Sequence, residues 1–205
     1  MMLNSEEKKL IAKEIEELEQ SSSAELIAVI TQKSSNYKYA SLMVSIFFVF
    51  LISFILFFLK EISTLELLQY QLLIFVGINL LLKKFNNLIL KIIPQSYKHQ
   101  KASLHAKRQF NNLGISRTKT KQAIMFFVSL DEKYVKILTD SEISKKIPNE
   151  FWQQLVFEFT EDVKREDFVN GYIKAIKTSK AILIKHFPIQ NNDENELSNE
   201  IIELK

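Results

Sequence analysis

The sequence predicts an α/β fold: a small sheet of three to four strands flanked by helices, interrupted after its first strand by a two-helix transmembrane hairpin. Three observations predict it. Ala24–Thr31 (AELIAVIT) and Ala123–Leu130 (AIMFFVSL) are apolar runs rich in β-branched and aromatic residues and bounded by polar turns, the pattern of strands buried on both faces. The segments around them repeat apolar residues at helical spacing. Between the two runs, Ala40–Leu59 (ASLMVSIFFVFLISFILFFL) carries no charge. At about 1.5 Å rise per residue it is ~30 Å long, the thickness of a bilayer's hydrocarbon core.

In chain order, Asn4 and Glu7 have the spacing of a capping box, and Glu6 and Glu7 suit the positive end of a helix dipole. Leu10, Ile11, Ile15 and Leu18 then mark one face of a helix over Ser5–Gln20. Ser21-Ser22-Ser23 breaks it, the strand Ala24–Thr31 follows, and polar Gln32–Lys38 leads into the first span. A second apolar run, Leu67–Leu82, comes after a spacer too short for anything but a hairpin. Its Gln69, Gln71 and Asn79 suit contact with the first span rather than lipid.

Phe85–Ile93 is amphipathic, a helix for the membrane interface with Lys83, Lys84 and Lys91 at the lipid surface, and Pro94 ends it. Gln100–Leu113 reads as a helix with Leu104, Phe110 and Leu113 inward and Gly114 just past its end. Ala123–Leu130 and Lys133–Thr139 form a hairpin about Asp131-Glu132. Ala24–Thr31 carries too much apolar surface to stand alone, so it pairs with Ala123–Leu130 across the insertion, in parallel. Pro148 opens a helix with Trp152, Leu155, Val156, Phe159 and Val163 on one face. Asp167–Lys185 is the last helix, with Phe168, Tyr172, Ala175, Ile176 and Leu183 inward, and Pro188 stops it. The acidic tail from Gln190 reads as disordered, with Ile201, Ile202 and Leu204 as a docking patch. The domain organisation is therefore 1–39 and 98–188 as one split domain, 40–97 as the membrane hairpin with its interfacial helix, and 189–205 as the tail.

Composition excludes several chemistries. There is no cysteine, hence no disulfide and no thiolate ligand or nucleophile. The three glycines (Gly77, Gly114, Gly171) are scattered, which excludes a phosphate loop or dinucleotide fingerprint. Three histidines do not make a multi-histidine metal site. From Lys83 to Lys121 there are ten Lys or Arg residues and no acid, whereas Lys60–Glu66 holds two acids and one lysine. Basic flanks resist translocation, so both termini and the split domain belong in the cytoplasm and the short loop outside. The basic run lacks interleaved aromatics, so it points to anionic lipid and not to nucleic acid. The charged N-terminus has no signal-peptide core, so the first span serves as an uncleaved insertion signal.

At this point the chain resembles the TPM-domain family, which includes thylakoid-lumen acid phosphatases and small bacterial membrane proteins. The resemblance lies in Ser22-Ser23-Ala24-Glu25-Leu26, like the family's Thr-Ser-Gly/Ala-Glu-Ile, and in LGISRTKTKQAIMFFVSLDEKYVKILTD, Leu113–Asp140. It continues in IPNEFWQQLV, Ile147–Val156, then His186-Phe187-Pro188 and Asn195-Glu196-Leu197. The order of these segments carries the resemblance, and it is nearest a bacterial branch anchored in the inner membrane by two inserted spans. This branch implies a LemA-like or another TPM-domain membrane protein as partner. Two departures stand out: Lys121-Gln122-Ala123 where the family often has Asp-Asn-Gly or Thr-Gly, and Ser141-Glu142 where many members have a glycine-containing turn.

Glu25, Asp131, Asp140 and Glu142 lie at predicted strand ends and are the candidate metal ligands. Clustered carboxylates suit Ca²⁺ or Mg²⁺, and such an ion would polarise a phosphoryl oxygen and activate water. Against this stands the ordinary role of acids at strand ends, solvated turns. His105, beside Lys107 and Arg108, reads as an exposed polar residue. The leading expectation is a membrane-anchored interaction or accessory module, the alternative a divalent-metal-dependent phosphatase, and the third a lipid-surface sensor built on Phe85–Ile93.

Overall fold

The computed structural model describes residues 3–59, 63–190 and 195–204. It divides into two compact units, Met1–Ser35 with His99–Lys205, and Asn36–Lys98.

The first unit is built on a four-stranded sheet of order β3-β2-β1-β4, formed by β1 (Glu25–Thr31), β2 (Ala123–Ser129), β3 (Tyr134–Thr139) and β4 (Ile202–Leu204). β1 and β2 pair in parallel along their full length, from Glu25↔Ala123 to Thr31↔Ser129. The pairing expected across the insertion is therefore present. β3 returns antiparallel to β2, with Ile124 opposite Thr139 and Ser129 opposite Tyr134. Every residue of β1 and β2 is buried, as continuous apolar runs covered on both faces require.

Alternation of side chains divides the core between the two faces. Leu26, Ala28, Ile30, Ile124, Phe126 and Val128 face one cluster. It is closed by α1 (Ser5–Glu19), α7 (Asn149–Lys164) and α8 (Phe168–His186), with α6 (Ser141–Lys146) at its margin. Trp152, Leu155, Phe159 and Val163 of α7 and Tyr172, Ala175, Ile176 and Leu183 of α8 are the inward residues. Ile27, Val29, Met125 and Phe127 face a second cluster under α5 (Gln95–Asn112) and the 3₁₀ turn Ile115–Arg117. Gly114 stands between those two elements at φ +72°, the left-handed geometry that ends a helix and favours glycine. The capping box of α1 is formed: Asn4 Oδ1 accepts from the Glu7 N–H at 2.8 Å, and Glu7 Oε2 from the Asn4 N–H at 2.7 Å.

Four expectations are corrected. Leu10 is 52% exposed, because the stripe Ile11, Ile15 and Leu18 meets the core and Leu10 lies about 100° from Ile11 around the helix. Leu104 is also exposed, and small Ala106 lies against the sheet in its place, beside the bulky Met125 and Phe127. The short helix α6 follows Asp140, where the family resemblance implies a turn. The C-terminal segment is not disordered over its described residues: Ile202–Leu204 is a strand parallel to β1, and Ile201 is buried. Residues 191–194 of that tail lie outside the described residues.

The second unit holds α2 (Lys38–Leu59), α3 (Thr64–Lys84) and α4 (Asn86–Ile92). α2 and α3 lie against each other. Ser63 and Glu66 form a capping box that starts α3. Both helices are long and apolar enough to cross a membrane, and only 11% and 6% of their apolar windows are buried. The apolar face of α4 does not lie free: Ile89, Leu90 and Ile93 cluster with Tyr37 of the same unit, with Ala40, Val44 and Tyr97 against them. Lys83, Lys84 and Lys91 are exposed.

Candidate functional site

Two ends of the sheet carry polar side chains. At the end where β1 and β2 begin, Glu25 pairs in register with Ala123, and the Asp140 N–H donates to the Ala123 carbonyl at 2.8 Å. Glu25 and Asp140 thus flank Ala123, about 10 Å apart across two strand spacings. Their carboxylates are engaged separately. The Glu25 oxygens accept the backbone N–H groups of Glu196 and Leu197, each at 3.2 Å. Asp140 caps α6, with Oδ1 accepting from the Ser141 N–H at 2.7 Å, while Oδ2 is buried and has no hydrogen-bond partner. Glu142 pairs with Lys145 at 2.6 Å.

Asp131 lies beyond the other end of the seven-residue β2, more than about 20 Å away. There Oδ1 accepts from Gln32 Nε2. The four expected ligands are therefore not brought together. Among the described residues no group of three or more His, Asp or Glu side chains is placed to hold a metal ion. A resident Ca²⁺ or Mg²⁺ needs several oxygens within about 2.0–2.6 Å. A set divided between two ends of a sheet, with its members tied to backbone N–H groups and a lysine, does not fit that requirement.

The end where β1 and β2 finish holds a cluster that sequence reasoning missed. Glu132 is 1% exposed. Its two oxygens accept the Ser34 N–H at 3.1 and 3.2 Å, and Oε2 also accepts from the hydroxyl of Ser129. The Ser34 and Ser129 hydroxyls lie 2.6 Å apart. The cluster fastens the chain leaving β1 to the β2–β3 hairpin. Ser129 is fully buried, so its hydroxyl is out of reach of a substrate. The only sequence signal was a carboxylate beside a turn, which by itself reads as solvated.

His105 of α5 lies over Phe127 with ring centroids 5.7 Å apart, half-buried instead of exposed. Its Nδ1 is buried without a partner, and Nε2 is 3.0 Å from Gln109 Nε2. Burial first, and the charge of Arg108 second, hold the imidazole below its ordinary pKa against the opposing pull of Glu132. Lys136 donates to Ser103 Oγ at 2.6 Å and is likewise lowered, by burial and by Lys107.

A family model described as TPM domain matches residues 81–182. The match begins at the end of α3, so α1 and β1 lie outside it, and the structure joins them to the matched part through the β1–β2 ladder. The NMR structure of the BA42 protein from the psychrophilic bacterium Bizionia argentinensis superposes with a TM-score of 0.61 at 18% identity, covering 98% of this chain and 95% of that one. At that identity the likeness is one of fold. Among curated proteins none matches the chain.

Proposed function

Taking the chain as a TPM-domain protein, we propose that it is a membrane-anchored interaction or accessory module acting in a membrane protein assembly. The observation that carries this reading is the pair of long apolar helices inserted between β1 and β2, whose surfaces are largely exposed. Such a surface is costly in water and stable in lipid. Because the sheet draws one strand from before the insertion and its parallel partner from after it, the domain is tethered to the hairpin at two points. The basic flank from Lys83 to Lys121, which resists translocation, supports a topology with both termini in the cytoplasm. The exposed Lys83, Lys84 and Lys91 are suited to anionic headgroups.

The engaged carboxylates weigh against the phosphatase reading, since Glu25, Asp131 and Glu142 all have partners and stand at two ends of the sheet. A LemA-like membrane protein or another TPM-domain membrane protein is the partner this reading nominates. The test is purification of the full chain in mild detergent from cells producing both candidates, with p-nitrophenyl phosphate hydrolysis measured on the same sample. Co-purification with background hydrolysis is expected. Hydrolysis that requires Ca²⁺ or Mg²⁺ and disappears in Asp140→Asn would replace the module with an enzyme.

A further inference from the structure

The edge of β1 that faces away from β2 is occupied by the chain's own C-terminal segment, and the way it is held specifies what that edge recognises. Three register pairs form the ladder, Val29↔Ile202, Ile30↔Glu203 and Thr31↔Leu204, against seven between β1 and β2. Side chains at both ends of the segment add to it. The Lys119 N–H donates to both carboxylate oxygens of Glu196 at 3.1 Å, and Glu25 returns the interaction by accepting the N–H groups of Glu196 and Leu197. At the far end the Leu3 N–H donates to Glu203 Oε1 at 3.0 Å, and Lys8 Nζ lies 3.1 Å from Oε2. Leu197, Ile202 and Leu204 cover the cluster containing Ile27 and Val29, while Ile201 enters the opposite core. The edge thus reads an extended segment of the form Glu-Leu-x-x-x-Ile-Ile-Glu-Leu, by strand addition combined with two carboxylate contacts.

We propose that this edge is an interface between copies of the chain, formed when the segment 195–204 of one copy docks on β1 of a second. The segment is held by Leu3, Lys8, Glu25, β1 and Lys119 and by the two apolar clusters, with Ile201 in the first, and all of these are also present on a second copy, whose segment would make the same contacts with no new chemistry. The three-pair ladder, with half-buried side chains, is the shortest in the sheet, and a short edge strand of this kind belongs to the low-stability end of local opening. Confinement of copies to one membrane raises their effective concentration for the exchange. The inference rests on the anchored-module reading and names its partner as a like chain.

The chain has no cysteine, which makes a disulfide test clean. Thr31 and Leu204 are register partners, and paired strands about 4.8 Å apart fall inside the Cα range of a disulfide. With Thr31→Cys and Leu204→Cys in one full-length chain, oxidation in membranes closes an internal bond. With the two substitutions on separate chains produced in the same cell, it yields a disulfide-linked dimer. Adding Lys8→Glu to the first chain and Glu203→Lys to the second makes the pair repulsive within each chain and complementary only between them, so the dimer yield rises several-fold. An internal bond without any dimer, with or without the charge exchange, overturns the proposal. Absence of the internal bond overturns the docking register on which it stands. Pelleting of the same samples reports anchoring separately, so dimers recovered from the soluble fraction would refute the membrane reading and leave the strand exchange standing.

Discussion

The two units use the same residue types in opposite ways. Phe126 and Phe127 of β2 have no exposed surface, whereas Phe50 and Phe54 of α2 are 69% and 64% exposed. In the domain, an apolar side chain is removed from water by neighbours that it must fit. In the hairpin, on the proposed membrane-anchored reading, the neighbour would be lipid, which conforms to any shape. Shape complementarity therefore disciplines the first unit and length disciplines the second.

The largest expected effect separates them directly. Phe126→Ala leaves a cavity between β2 and α7, and its cost is about 3–5 kcal/mol. Phe54→Ala leaves the domain's stability within about 0.5 kcal/mol, as for surface positions. Denaturant titration of the full chain in detergent reads both, with Trp152 as the single tryptophan in the domain core. The glycines repeat the contrast on a smaller scale. A Cβ at Gly171 would lie 2.7 Å from the Phe159 ring, while at Gly77 it meets nothing within 4 Å. Gly171→Ala is expected to cost about 1–3 kcal/mol, and Gly77→Ala to leave the same titration unchanged. Tyr172→Phe comes next. Its hydroxyl donates to the Val29 carbonyl at 2.6 Å in a fully buried site, and burial pushes its pKa well up, so it remains a donor at every working pH. Removing it deletes one buried hydrogen bond to that carbonyl, at about 1 kcal/mol.

The smallest effect depends on pH. His105 titrates lower in the fold than its ordinary value of 6.5, so the unfolded chain binds the proton first. Stability is then complete above the ordinary value and falls as pH drops below it, levelling off once the folded imidazole is also protonated. Melting temperatures across that range should fall with acidity in the native chain. The slope should be reduced in His105→Gln. An unchanged slope would assign the acid sensitivity to other groups.

Much of this contrast was legible in the sequence. An uncharged run long enough for a bilayer and two apolar runs short enough for strands are local patterns, and the pairing of β1 with β2 followed from the surface that each must bury. The rest depended on distant partners. Ile202–Leu204 has no strand signal within its acidic surroundings, and it is a strand because β1 offers it an edge. Glu132 cannot be told by type and position from the half-buried Asp131 beside it until Ser34 and Ser129 are folded over it. The divergence of the candidate ligands was nonetheless implicit in the hairpin. Asp131 follows β2 and Asp140 follows β3, and in an antiparallel pair those are opposite ends.

The central claim, one sheet assembled across a membrane hairpin with the domain on the cytoplasmic side, is tested most directly by cysteine accessibility. Single substitutions Lys33→Cys, Thr64→Cys and Lys98→Cys in the cysteine-free chain would be treated, in intact cells stripped of any outer membrane, with a maleimide that cannot cross the membrane. The account predicts labelling at 64 alone, with 33 and 98 reacting only after permeabilisation. Labelling at 33 or 98 in sealed cells, or at all three positions alike, would contradict it.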